Sequence, residues 1–309
     1  VAKKSTAGNG AGTLTHLMPV RLGYITPNSW GLDTPQQVVD LAVQAEALGA
    51  DSLWVSHHVL HRGFVAERLV GQRPYHDPLV MLTAFASATT TARLGTSVLV
   101  IPYLHPMPTA KMLATIDHVS GGRLDAGVGV GALRVEHDAI AQVPFERRGA
   151  YSNEFLEVMQ LLWTPGPSSF SGEFFAFDDV EAYPGPFLPS GIPVYVGGMS
   201  RAAVTRTARF ASGWHGVGVE PEGIPALVDD LRRAFERAGR SFDGRPVQLR
   251  LHIPVEDLDV DGWRRRFDTY EHAGVTELAL APQSGDADAH RRWLDALVPP
   301  LSSGQSPPG

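Results

Sequence analysis

The chain of 309 residues has no cysteine. That excludes disulfides, thiolate nucleophiles and every zinc site built on cysteine, though it does not identify a compartment. No cluster of lysine and arginine stands out and the formal net charge is −7, so the electrostatic footprint of a nucleic-acid binder is missing. No apolar run approaches the roughly 20 residues of a membrane helix. The opening stretch VAKKSTAGNGAGTLTH lacks the apolar core of a signal peptide. These absences point to a soluble cytoplasmic protein with neither a nucleic acid nor a membrane as partner.

What is present is a globular composition, 43% apolar and 19% charged. Short apolar runs alternate with helical patterns. RLGYIT, SLWVS, RLGTSVLVI (93–101), RLDAGVGVG (123–131), PVYVGG, GWHGVGV, VQLRLHI and TELALA read as strands. Between them lie segments with apolar residues at helical spacing, such as Val38, Leu41, Ala42, Ala45 and Leu48. Thr34 or Asp33 can cap that first helix, Pro35 suits its first position and Gly49 its stop. DPLVMLTAFASATT repeats the device with Asp77 and Pro78. Eight strands alternating with eight helices predict a parallel sheet closed into a (β/α)8 TIM barrel, with an open doubly wound sheet as competitor. Residues 164–191, with five phenylalanines, break the rhythm and are expected to form an insertion after strand four, packed over one end of the fold. Residues 1–18 and 301–309 read as flexible tails around one domain at 19–300.

A barrel of this kind places its active site at the C-terminal ends of the strands. Three stretches at those exits carry a physical argument. VGGMSRAA puts Gly197 and Gly198 between a strand and a helix, so N–H groups near Met199, Ser200 and Arg201 can face an anion; the alternative is a plain tight turn. GVGVG strips one side of strand four at Gly127, Gly129 and Gly131, where either a flat ring or a closely packed neighbouring strand fits. VSHHVLHR sets His57, His58 and His61 together. Neighbours on a strand point to opposite faces, so His57 and His58 cannot share an ion unless the strand has ended. There is no H-E-x-x-H either, and no metal is assigned. A single histidine acting as acid or base is simpler, and a loop histidine that is merely hydrogen-bonded stays open.

Taken together, SLWVSHHVL, RLGTSVLVIPYLHPMPTAKMLATIDHVSGGRLDAGVGVG, RRGAYSNEFLEVMQLLW, FSGEFF and PVYVGGMSRAAVTRTARFASGW resemble, in order, the luciferase-like monooxygenase superfamily. The resemblance is greatest to its branch that uses the deazaflavin coenzyme F420. It implies a barrel holding a deazaflavin or isoalloxazine ring at the strand ends, with the cofactor phosphate near Gly197 and Gly198. It implies a non-proline cis peptide at Ser97–Val98, against one face of the ring. His58 matches the family's active-site histidine. His57 stands where deazaflavin enzymes often carry aspartate, and Ala132 where relatives often carry a larger or acidic residue. Both are departures.

The expectation is therefore an F420-dependent oxidoreductase that moves a hydride to or from a small organic substrate. His58 is the expected acid/base, with His57 beside it. Ser97, Val98, Gly129, Gly131, Gly197, Gly198, Met199 and Ser200 are expected at the cofactor. Trp30, Tyr103, Ala132 and the insertion's aromatics are expected to shape the substrate pocket. The alternatives are a reduced-FMN monooxygenase of the same superfamily, a non-catalytic flavin or deazaflavin binder, and a metal-dependent barrel hydrolase. The resemblance also implies a homodimer.

Overall fold

The computed structural model describes residues 19–60, 67 and 74–302. His61 and the whole 1–18 segment lie outside the described residues. In chain order the elements are β1 (Arg21–Ile25), α1 (Pro35–Ala47), β2 (Ser52–Val55), α2 (Pro78–Ala88), β3 (Arg93–Thr96), β4 (Leu99–Val100) and α3 (Pro106–Ser120). There follow β5 (Leu124–Gly129), α4 (Arg134–Ile140), α5 (Arg148–Leu162), β6 (Ser168–Ser171), β7 (Ala176–Val180) and β8 (Val194–Val196). The chain continues through α6 (Arg201–Phe210), β9 (Gly213–Val217), α7 (Ile224–Arg237), β10 (Val247–Pro254), α8 (Val260–Ala273), β11 (Glu277–Gln283) and α9 (Ala287–Ser302).

Nine of these strands form one sheet in the order β3-β2-β1-β11-β10-β9-β8-β5-β4, β3 also pairs with β5, and β6 and β7 form a separate hairpin. Since β3 and β4 are two halves of one strand, this closes an eight-stranded parallel barrel with helices outside. The competing open sheet is ruled out by that closure. Local signals set several boundaries. Thr34 caps α1 through a reciprocal box with Gln37, with Pro35 at the first position. Asp77 accepts from the backbone N–H groups of Leu79 and Val80. Gly49 ends α1 with a φ of 103°, a left-handed value that glycine adopts freely.

Three expectations need correction. The third strand is not continuous from 93 to 101; it breaks at Ser97–Val98, whose peptide bond is cis. A short helix, α4, starts three residues after Gly131, where no helix was expected. The hairpin of the insertion, β6 with β7, packs on α3 and α5. The Glu154 carboxylate on α5 accepts from the N–H groups of Glu173, Phe174 and Phe175. Phe175 packs on Tyr151 and on His105 at the start of α3. Phe187 packs on His118, near its end. The helix α9 also runs to Ser302.

Apolar residues such as Leu41, Phe85, Leu113 and Phe155 bury the helices against the barrel. The barrel interior, by contrast, is markedly polar. Arg93 makes a bidentate pair with Asp125, through Nε at 2.7 Å and Nη2 at 2.5 Å. The carboxylate of Glu277 receives Arg21 Nη2 at 2.5 Å, Ser52 Oγ at 2.6 Å and Trp54 Nε1 at 2.9 Å. Each of these buried charges is hydrogen-bonded, as the low interior polarity demands.

Candidate active site

The alternate glycines of β5 are answered by alternate residues of the broken third strand. A Cβ on Gly127 would run into the Thr96 carbonyl oxygen. One on Gly129 would stand 2.6 Å from Val98 Cγ2, and one on Gly131 2.7 Å from Val100 Cγ1. The period of two on one strand thus meets the period of two on its neighbour. Close strand packing, one of the two readings of GVGVG, accounts for all three glycines. Gly197 joins in, since its Cβ would lie 3.1 Å from Val98 Cγ1. The result is a smooth wall with Val98 at its centre.

That wall is one side of a cavity of about 470 Å³ at the C-terminal ends of the strands. Ser97, Val98, Val100, Gly129, Gly131, Ala132, Gly197 and Gly198 line it, together with His57, His58 and Tyr103. The volume falls in the range usual for small-molecule sites. Met199, Ser200 and Trp30 are not in the lining. Met199 is 60% exposed. Ser200 caps α6, accepting from Ala203 N–H at 3.2 Å. The insertion's phenylalanines are also absent from the lining, because they are occupied on the flank.

The histidines have different environments. His57 is 5% exposed, and its Nδ1 accepts the Val100 N–H at 3.0 Å. Burial lowers its pKa to about 4, against the opposing pull of Asp77 and Glu136. It is a neutral group tied to β4. His58 Nδ1 lies 3.1 Å from Glu136 Oε2. Glu136, carried by α4, is fully buried and also accepts from the N–H groups of Val59 at 2.5 Å and Leu60 at 2.8 Å. Burial pushes its pKa up. The bonds from His58, Leu60 and Val59 outweigh that and hold it below the ordinary carboxylate range. An ionised Glu136 needs a donor, so His58 presents a hydrogen on Nδ1. Tyr103 Oη approaches the same carboxylate at 3.4 Å, and burial followed by Glu136 raises its pKa.

Glu136 was not anticipated from the sequence, nor were Arg250 and His215. Arg250 lines the cavity and donates from Nη1 to Ser97 O at 2.7 Å and to Ser56 Oγ at 2.9 Å. His215 Nε2 is 2.8 Å from Ser97 Oγ. A signal existed for Arg250: VQLRLHI sets Gln248, Arg250 and His252 at every second position of an otherwise apolar strand. Among the described residues no group of three or more histidine, cysteine, aspartate or glutamate side chains is placed to hold a metal. None of the described helices is long and apolar enough to cross a membrane.

These residues fit a flat ring with an anionic tail. The wall around Val98 offers no protruding side chain, and any Cβ on Gly129 or Gly197 would push Val98 out of place. Gly198, with φ 106°, leads into the N-terminus of α6, whose first N–H groups have no partner within the helix. The N–H of Gly197 itself is spent on Val128 O at 2.8 Å, so an anion here would have to be met from Gly198 onward.

Known proteins point the same way. The chain is 32% identical over 278 residues to the F420-dependent glucose-6-phosphate dehydrogenase of Nakamurella multipartita, covering 86% of this chain and 75% of that one. It is 33% identical over 259 residues to the FMNH2-dependent dimethylsulfone monooxygenase of Pseudomonas putida, covering 79% and 67%. Its fold matches an F420-dependent secondary alcohol dehydrogenase solved with an F420–acetone adduct, with a TM-score of 0.76 at 18% identity over 92% of this chain and 99% of that one. The model of the family described as luciferase-like monooxygenase matches residues 13–298, and this chain belongs to that family.

Proposed function

We propose that the chain is an F420-dependent oxidoreductase that transfers a hydride between the deazaflavin and a small organic substrate such as an alcohol or its carbonyl product. The observation that carries this reading is the pairing, within one cavity, of a smooth wall of glycines around Val98 with a histidine backed by a buried carboxylate. Ser97, Val98, Gly129, Gly131, Gly197 and Gly198 would hold the ring and the start of its tail. The bound coenzyme supplies or accepts the hydride; the protein positions it and manages protons.

The chain's own residues do the rest. When the substrate carbon gives up hydride, an alcohol proton must leave, and Nε2 of neutral His58 takes it. In the reverse direction protonated His58 returns it. Glu136 keeps the Nδ1 hydrogen in place and stabilises the charged ring. Val59 and Leu60 hold Glu136 by their N–H groups, so the pair is preorganised.

One observation favours a second reading, a reduced-FMN monooxygenase. His57 occupies the position where deazaflavin relatives often carry aspartate, and it is buried, neutral and bonded to β4, so it brings no negative charge to the ring. Titration with coenzyme F420 and with FMN, oxidised and reduced, decides between them. Tight F420 binding and hydride transfer support the first reading. Tight binding of reduced FMN with oxygen-dependent turnover replaces it with the second. Binding without turnover of any tested alcohol, ketone or sulfone leaves a cofactor-binding protein, and binding of neither removes the oxidoreductase reading.

A further inference from the structure

The buried polar chain beneath the cavity has a direction, and that direction starts at the far end of the barrel. Glu277 receives four donors. Arg21, Ser52 and Trp54 are joined by Gln248 Nε2 at 3.3 Å. Burial pushes the Glu277 pKa up, but with the Arg21 guanidinium and three further donors all aimed at its oxygens the group acts as an acceptor. Gln248 must therefore turn its N–H2 toward Glu277 and its Oε1 toward His215 Nδ1, 3.1 Å away. His215 answers with N–H at Nδ1. It is fully buried and neutral, burial having lowered its pKa to about 4. Its Nε2 is left as a bare lone pair, and the partner is Ser97 Oγ at 2.8 Å.

The Ser97 hydroxyl has one hydrogen, and His215 takes it. Nη1 of Arg250 also approaches this oxygen from the donor side, at 3.5 Å. Toward the cavity, Ser97 Oγ can then only accept. We infer that His215 is a positioning residue that fixes Ser97 Oγ as a hydrogen-bond acceptor on the cavity wall, so that the site selects ring systems presenting an N–H there. This rests on the ring-binding reading above and adds to it a rule of recognition. Isoalloxazine and deazaflavin rings share one such group, the imide N–H, so the rule holds for either cofactor. Nearly the whole chain from Arg21 to Ser97 is assembled across five separate strands, which is why no local motif announces it.

The test measures binding, not turnover. Dissociation constants are obtained for FMN, its 5-deaza analogue and the N3-methyl derivative of each. Wild-type protein is expected to bind at least one unmethylated ring roughly tenfold more tightly than its methylated form, the scale of one hydrogen bond. Ser97→Ala should collapse that ratio by weakening the unmethylated ring alone. His215→Phe removes the acceptor behind Ser97 and should do the same, whereas His215→Gln, which can offer an amide oxygen to Ser97, should keep most of the ratio. If His215→Phe does not fold by circular dichroism, His215→Asn makes the same test, since its amide reaches Gln248 but not Ser97. A ratio unchanged in Ser97→Ala overturns the acceptor role, because the methyl group is then excluded by shape alone. A ratio lost in Ser97→Ala but intact in both His215→Phe and His215→Asn overturns the role of His215. If wild-type protein binds none of the four, the ring-binding reading itself fails and this inference falls with it.

Discussion

Val98 Cγ2 stands 2.6 Å from the point where a Cβ on Gly129 would be. No real side chain tolerates that distance, so the two residues specify each other. Gly129→Ala is expected to destabilise the fold by about 1–3 kcal/mol through overpacking. Val98→Ala in the same chain should recover part of the loss, with the coupling read from a double-mutant cycle in urea. Additive effects would mean that the strand edge gives way instead.

Glu136→Gln keeps an oxygen for the Val59 and Leu60 N–H groups but withdraws the negative charge beside His58. The melting temperature should change little. Turnover should fall on the order of 100-fold, the scale of lost acid–base assistance, with cofactor affinity kept. Steady-state kinetics beside a cofactor titration separate the two; equal losses in both would make Glu136 a structural residue only.

His57 and His215 are neutral in the fold, with pKa values lowered from 6.5 to about 4 by burial. In the unfolded chain both take up protons near pH 6.5. Between about 6.5 and about 4 the unfolded state therefore binds more protons, and these two groups make stability fall as pH falls through that window. Each contributes about 1.4 kcal/mol per pH unit once well below its unfolded value. His57→Gln removes one of the two. The difference in its urea-unfolding free energy from wild type should therefore shrink or turn favourable between pH 6.5 and pH 5. A constant difference across that range would mean that His57 carries a proton in the fold.

The phenylalanines of the β6–β7 hairpin lie on the flank of α5, outside the cavity. Phe177→Ala is expected to leave the affinity for any cofactor within about twofold, since it does not line the cavity. Glu154→Ala strips the acceptor from three backbone N–H groups of the insertion and should cost about 1–3 kcal/mol of stability. A large change in cofactor affinity from Phe177→Ala would return the insertion to the site.

Much of the barrel is legible in the chain because its signals are local. Apolar runs of strand length, helical spacing between them, Thr34 with Pro35, and Asp77 with Pro78 all act within a few residues of themselves. The histidines at the exit of β2 and the glycines of β5 and β8 were legible as a site for the same reason. Helix α4 was not, because seven residues, RVEHDAI, are too few to establish a period. Glu136 was lost with it. The break at Ser97 divides a run that reads as one strand, since nothing in the composition of GTSVLV distinguishes a cis bond from a trans one.

The sequence by itself determined an eight-fold alternation of strand and helix and the motifs at the strand exits, because periodicity and capping are properties of neighbours in the chain. Only the tertiary structure decided that the sheet closes and what surrounds each motif. The glycines of GVGVG exist for Val98 and its strand. His57 and His58, adjacent in sequence, separate into a buried neutral group bonded to β4 and a ring paired with Glu136, 78 residues away. Ser97 meets His215 across 118 residues. Hydrogen-bond partners and burial are set by what the closed barrel brings together, and no window along the chain contains them.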